Sequence, residues 1–247
     1  MKETGNTDFT AWRSVLGQPD WYLRLLTELK ALQASIASEP PERQRELKDS
    51  VYEFFETEIA AGRVAFGMSG HDFDAERQPI DTAVIHQTAN APGITAERIS
   101  VIHLLRLYAT YYAHPYLESE QHIKGTPLYS GHFSDGKQVF YAYHWLVRQD
   151  GSTERLLEDR EIGWHAGAWE VNCRSVGICL DGDYRSRRPS NIELRATARI
   201  LRENYPKIVK ERLLGHREVN PKTDCPSNLF LSTPKDRGWK EDLLTLL

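Results

Sequence analysis

Apolar residues recur at helical spacing early in the chain, at Trp21, Leu25, Leu29, Leu32 and Ile36 and again at Leu47, Val51, Phe54, Phe55 and Ile59. Side chains three and four positions apart share one helix face, so both runs predict amphipathic helices. Glu39-Pro40-Pro41-Glu42 separates them. Proline cannot donate to a helix interior, so a break is expected there and the two runs form a helical hairpin. Residues 62–78 carry Gly and Asp and read as a linker packed on the next domain.

Beyond the linker the period changes. Residues 82–87 read as a short β run, and 95–114 as a long helix with Ile99, Ile102, Leu105 and Tyr108 on one stripe. After a loop over 115–136, three strands are expected at 139–148, 152–157 and 175–181. Asp150-Gly151 offers a two-residue hairpin turn between the first two. Residues 191–205 are helical again, and 208–213 lead into a polar loop. Strands alternating with helices predict an α/β domain with a mixed central β-sheet and helices packed on it, over residues 78–247. An N-terminal helical extension and linker, residues 1–77, precedes it and is expected to contact that domain or a partner.

Composition narrows the possibilities. A length of 247 residues allows one enzyme-sized domain plus an appendage. A formal charge of -4 supplies no basic footprint, so nucleic acid is not an expected partner. No apolar run approaches the roughly 18 residues of a membrane span. The start, Met1-Lys2-Glu3-Thr4-Gly5-Asn6-Thr7-Asp8, has no apolar stretch of a signal peptide. The chain is therefore expected in the cytoplasm as synthesised, with phage-type release or another export route still open. Three cysteines, Cys173, Cys179 and Cys225, agree with a reducing compartment. Cys179 lies in Val176-Gly177-Ile178-Cys179-Leu180 and is expected to be a small buried hydrophobe.

The candidate chemistry lies in Gly215-His216-Arg217-Glu218-Val219-Asn220-Pro221-Lys222-Thr223-Asp224-Cys225-Pro226, which sets an imidazole and a thiol on one short loop. Far upstream, His86 ends an apolar strand and offers a third ligand. Three His and Cys ligands with no fourth nearby match a catalytic zinc that keeps a position open for water. One Zn2+ per chain and metal-assisted hydrolysis are the expectation.

Four blocks carry a family resemblance: Thr82-Ala83-Val84-Ile85-His86-Gln87-Thr88; Tyr141-Ala142-Tyr143-His144-Trp145-Leu146-Val147; Gly163-Trp164-His165-Ala166-Gly167 with Ser175 to Gly182; and the loop from Gly215 through Phe230. Over about residues 80–231 the chain resembles the zinc-dependent N-acetylmuramoyl-L-alanine amidases, which share a fold with peptidoglycan recognition proteins and amidase-type phage endolysins. The resemblance implies His86, His216 and Cys225 as zinc ligands and peptidoglycan or a muropeptide as substrate. The implied reaction cleaves the amide between the lactyl group of N-acetylmuramic acid and L-alanine of the stem peptide. It implies Tyr143 as the hydroxyl beside the metal, and His165, Trp164 and Asn172 as residues lining a peptide groove. A further catalytic partner precedes the metal cysteine: Thr223 when counted back from Cys225, Lys222 when the Pro-Lys pair is aligned. The loop is one residue longer than in the recognition proteins, and Cys179 stands where cytoplasmic amidases carry a glutamate. A non-catalytic recognition module is the alternative, although such relatives typically lack the metal cysteine that this chain keeps.

Overall fold

A computed structural model describes residues 9–114 and 123–247, so part of the loop expected over 115–136 lies outside the described residues. In chain order it has helices α1 (Thr10–Leu16), α2 (Trp21–Arg24), α3 (Leu26–Ala37) and α4 (Pro41–Ala60), then strand β1 (Thr82–Gln87). Helix α5 (Ala96–His103) continues through a π-helical turn, Leu104–Tyr108, into α6 (Ala109–Ala113), followed by the short strands β2 (Phe133–Ser134) and β3 (Lys137–Gln138). Next come β4 (Trp145–Val147), β5 (Thr153–Arg155), α7 (Trp169–Arg174), β6 (Ser175–Leu180) and α8 (Asn191–Asn204). Strand β7 (Leu213–Gly215), α9 (His216–Val219) and α10 (Trp239–Thr245) complete it.

Two compact units form, one from the residues up to Asp72 with Glu97–Phe140, the other from Phe73–Ala96 with Tyr141–Leu247. The expected division placed a single cut at 77/78; the contacts instead group the long helix and the β2–β3 hairpin with the N-terminal helices. Aromatic packing shows why. Tyr22 meets Tyr112 edge-on at 6.4 Å and donates from its hydroxyl to the Thr126 carbonyl, while Tyr112 donates to the Tyr129 carbonyl. In this unit the expected break becomes a helix start, because Pro41 occupies the first turn of α4, where its missing N–H costs no bond. The π turn inserts a residue into the helix expected over 95–114, and the stripe slips from Leu105 to the fully buried Leu104.

The second unit holds a five-stranded sheet in the order β5-β4-β6-β1-β7. Strand β1 runs parallel to β6 and β7, β4 runs parallel to β6, and β5 is antiparallel to β4, so the sheet is mixed as expected. The strand expected over 139–148 shortens to β4. Its upstream end leaves the ladder because the Gly177 N–H donates to Nδ1 of the buried His144 at 3.1 Å rather than to a strand carbonyl. The β4–β5 connection closes with Arg148 N–H on the Ser152 carbonyl and Gly151 at φ 83°, a loop of Gln149, Asp150 and Gly151 rather than the two-residue turn expected. Helices α7 and α10, of six and seven residues, are too short to display a 3.6-residue period and were not expected.

Successive strand residues face opposite sides, and this alternation divides the sheet. Ala83 and Ile85 of β1, with Val176, Ile178 and Leu180 of β6, join the main core against α8 and α10 through Leu194, Leu201, Trp239 and Leu243. Val84 turns the other way and packs with Ala166 and Val171, with Val219 against them. His86, two residues after Val84 and opposite Cys179 in register, shares that second face. Helix α8 is anchored by a capping box in which Ser190 accepts from the Glu193 N–H and Glu193 accepts from the Ser190 N–H.

The second face leaves little room. A Cβ on Gly163 would stand 2.1 Å from the Ala142 carbonyl oxygen, a backbone atom that cannot step aside. Gly163→Ala is therefore expected to cost about 1–3 kcal/mol or more by overpacking. The thermal unfolding midpoint should fall by several degrees; a midpoint equal to wild type would show that the Gly163 segment is not held there.

Candidate metal centre

The loops following β1 and β7 converge because these strands are parallel neighbours, with Ile85 opposite Gly215. His86 and His216 each follow that pair, at the carboxyl ends of the strands, where open α/β sheets place their ligands. Their rings lie 4.8 Å apart between centroids. The loop after α9 then folds back, closed by the Arg217 N–H donating to the Cys225 carbonyl at 2.7 Å, and brings the Cys225 thiol to the two rings. One ligand atom from each of His86, His216 and Cys225 lies within 4.8 Å of the others. Cys225 Sγ is 3.7 Å from His86 Nδ1. Zinc–nitrogen and zinc–sulfur bonds of about 2.0 and 2.3 Å in tetrahedral geometry separate ligand atoms by about 3.3–3.7 Å, so this edge suits the ion.

The polar atoms fit as well. His216 Nε2 is buried and has no hydrogen-bond partner among the described residues, whereas the other ring nitrogen donates to the Ala166 carbonyl. Buried polar atoms are rarely left unpaired, and a cation on Nε2 would satisfy this one. Burial pulls His216 down to about 4 against the opposing Ala166 hydrogen bond, so the ring is neutral near pH 7, as a ligand must be. Burial pushes the Cys225 thiol up to about 12; the Gln87 N–H donating to sulfur opposes this and Asp224 reinforces it. A buried thiolate needs a nearby positive charge, which a divalent ion supplies.

Around this triad the structure places each expected residue. The Tyr143 ring lies 5.0 Å from that of His86, and its hydroxyl is hydrogen-bonded to Cys179. Cys179 is fully buried, as expected of a small hydrophobe, and burial drives its thiol well above the ordinary range. Its contact with Tyr143 is a feature that residue spacing alone does not announce. Thr223 is half-buried, and its Oγ1 accepts the Cys225 N–H at 3.1 Å; Lys222 is exposed, its N–H turned to Asn220 Oδ1. His165, Trp164 and Asn172, expected to line a groove, are 4%, 8% and 5% exposed. Trp164 packs edge-on against Phe73 and Trp169, and Asn172 Oδ1 accepts the backbone N–H groups of His165 and Ala166.

Residues 76–228 match the model of the N-acetylmuramoyl-L-alanine amidase family, Amidase_2. The chain belongs to this family. Every candidate site residue of this amidase lies within the matched stretch. Among its relatives is the 1,6-anhydro-N-acetylmuramyl-L-alanine amidase AmpD of Haemophilus influenzae, 25% identical over 132 residues that make up 49% of this chain and 71% of AmpD. The endolysin of Enterobacteria phage K11 is 33% identical over 93 residues, 34% of this chain and 58% of the endolysin, so the match spans little more than half the phage protein. Among solved structures, N-acetylmuramoyl-L-alanine amidase LysC from Clostridium intestinale URNW aligns at a TM-score of 0.45 and 22% identity, covering 74% of this chain and 93% of LysC. No helix among the described residues of the amidase is long and apolar enough to cross a membrane.

Proposed function

We propose that this amidase hydrolyses the bond between the lactyl group of N-acetylmuramic acid and L-alanine of the peptidoglycan stem, in polymeric wall or soluble muropeptide, with one zinc ion held by His86, His216 and Cys225. The observation that carries the reading is the convergence of these three ligand atoms within 4.8 Å in a chain of the amidase family. A zinc ion there supplies Lewis-acid activation of water near neutral pH.

The rest is work for the chain's own residues. Amide cleavage needs a donor for the developing oxyanion and a proton for the leaving amine. Tyr143, whose ring lies beside that of His86, offers a hydroxyl for that work. Thr223 is the better placed of the two loop candidates. Its oxygen accepts the Cys225 N–H, which leaves its hydroxyl proton free to be donated. Lys222 reaches into solvent and would act only through its charge. A recognition module that binds without cutting has no need of a thiol at position 225, so the intact donor set favours hydrolysis.

One zinc per chain is expected to survive dialysis, and Cys225→Ala should lose most of it together with all hydrolysis. Metal analysis alongside mass spectrometry of products from defined muropeptides checks both. Full activity in metal-free protein, or a Cys225→Ala variant that keeps its zinc, would refute the ligand set.

Tyr143→Phe removes a single hydroxyl and no ligand. Its zinc content should match wild type while the initial rate falls by roughly a hundred- to a ten-thousandfold, the range for one acid or oxyanion donor. Unchanged turnover would remove Tyr143 from the mechanism.

Thr223→Val keeps the side-chain volume and deletes the hydroxyl, so its rate loss should be comparable to that of Tyr143→Phe, whereas Lys222→Met should change little. The reverse ranking, in initial rates at neutral pH with zinc content confirmed, would transfer the role to Lys222.

A further inference from the structure

His165 and Ala166 lie behind the metal triad in a segment bounded by Gly163 and Gly167, and each meets a different ligand ring. His165 Nδ1 is 3.0 Å from His86 Nε2, and the Ala166 carbonyl accepts from His216. Both contacts fall on the ring nitrogen opposite the one that faces the metal position. If His86 binds through Nδ1, the atom nearest Cys225 Sγ, its proton lies on Nε2 and is donated to His165 Nδ1. His165 then carries its own proton on Nε2, 3.3 Å from Ser175 Oγ, so each proton in the series has an acceptor.

Two further features hold the segment. Asn172 Oδ1 accepts from the His165 N–H at 3.2 Å and the Ala166 N–H at 2.8 Å, which ties both contacts to one buried side chain. Gly177 lies under the His165 ring, where a Cβ would approach Cγ and Cδ2 to 2.9 Å, so the ring's seat exists only because that strand position lacks a side chain.

We propose that His165-Ala166, pinned by Asn172 and seated on Gly177, is a two-point clamp that sets the tautomer and orientation of both histidine ligands. It makes His165 a positioning residue for the metal rather than a contact for the peptide. The proposal rests on the zinc reading above. Partners behind a metal-bound imidazole raise its basicity and fix its ring plane, and losing one typically weakens metal binding by about 10–100-fold.

The full chain carries the test, through zinc affinity measured by competition with a chromophoric chelator and through the visible spectrum of the Co2+-substituted protein. His165→Phe keeps a ring and removes the acceptor; His165→Asn removes the ring but keeps an acceptor near the Nδ1 position. The Phe variant should bind zinc about 10–100-fold more weakly, with shifted Co2+ bands, while the Asn variant recovers most of the affinity and the wild-type bands. Asn172→Ala, which releases both N–H groups, should also weaken zinc. Wild-type affinity and spectrum in His165→Phe overturn the clamp, and so does an Asn variant as weak as Phe, which would make the role one of packing. Should the Phe variant fail to fold, the Asn variant decides alone: near-wild-type affinity supports the clamp, and a loss as large as that of Cys225→Ala refutes it. Wild-type protein that binds neither metal overturns the zinc reading itself, a result distinct from a clamp failure in a chain that binds zinc.

Discussion

The two-residue period of β1 and β6, locked in parallel register, is the constraint on which the candidate metal centre depends. Alternation sends Ala83, Ile85, Val176, Ile178 and Leu180 into the core under α8 and α10, so Val84, His86, Gly177 and Cys179 must face the other way. A slip of one residue would exchange the two sets and bury an imidazole among aliphatic side chains. Burial of the apolar set, worth about 1.5–3 kcal/mol for each large side chain, therefore also fixes where the chemistry is displayed. Nothing about the site has to be stabilised separately for His86 to point the right way.

Parallel pairing supplies the second part. Because β1 and β7 run in the same direction, their carboxyl ends coincide, and His86 meets His216 across some 130 intervening residues. The return of the loop to Cys225 adds a thiol donor, and the burial that makes this thiol a poor acid means that its thiolate would need a cation beside it. Pull on the donor set comes from polar contacts behind it: the Gln87 amide on sulfur, the Ala166 carbonyl on one ring and His165 on the other. Backbone groups supply two of these three.

Legibility from sequence varied with the kind of interaction. Helix α8 was legible over 191–205, and the Ser190–Glu193 capping box that the fold reveals is a local signal pointing the same way. The boundary at Pro41 was readable because proline suits the first turn of a helix, whereas α1 and the interruption at Leu25 that splits the first expected helix into α2 and α3 were not. The reach of the strand over 139–148 was not, because a single side chain, His144, takes a backbone bond that the ladder would otherwise use. The grouping of 97–140 with the first helices was hidden for a related reason: it rests on Tyr22 meeting Tyr112 edge-on and reaching the Thr126 carbonyl far along the chain.

By itself, the sequence determined the family blocks, the mixed α/β pattern and three candidate donors, since residue type and local spacing are properties of the chain alone. Tertiary structure decided what those residues do for one another. Only folding could bring His165 to His86, rest its ring on Gly177, turn the Ala166 carbonyl to His216 and bring Cys179 to Tyr143. The physical reason is range. A hydrogen bond acts over about 3 Å and has no counterpart in sequence separation, so its partners are set by register and packing rather than by any pattern along the chain.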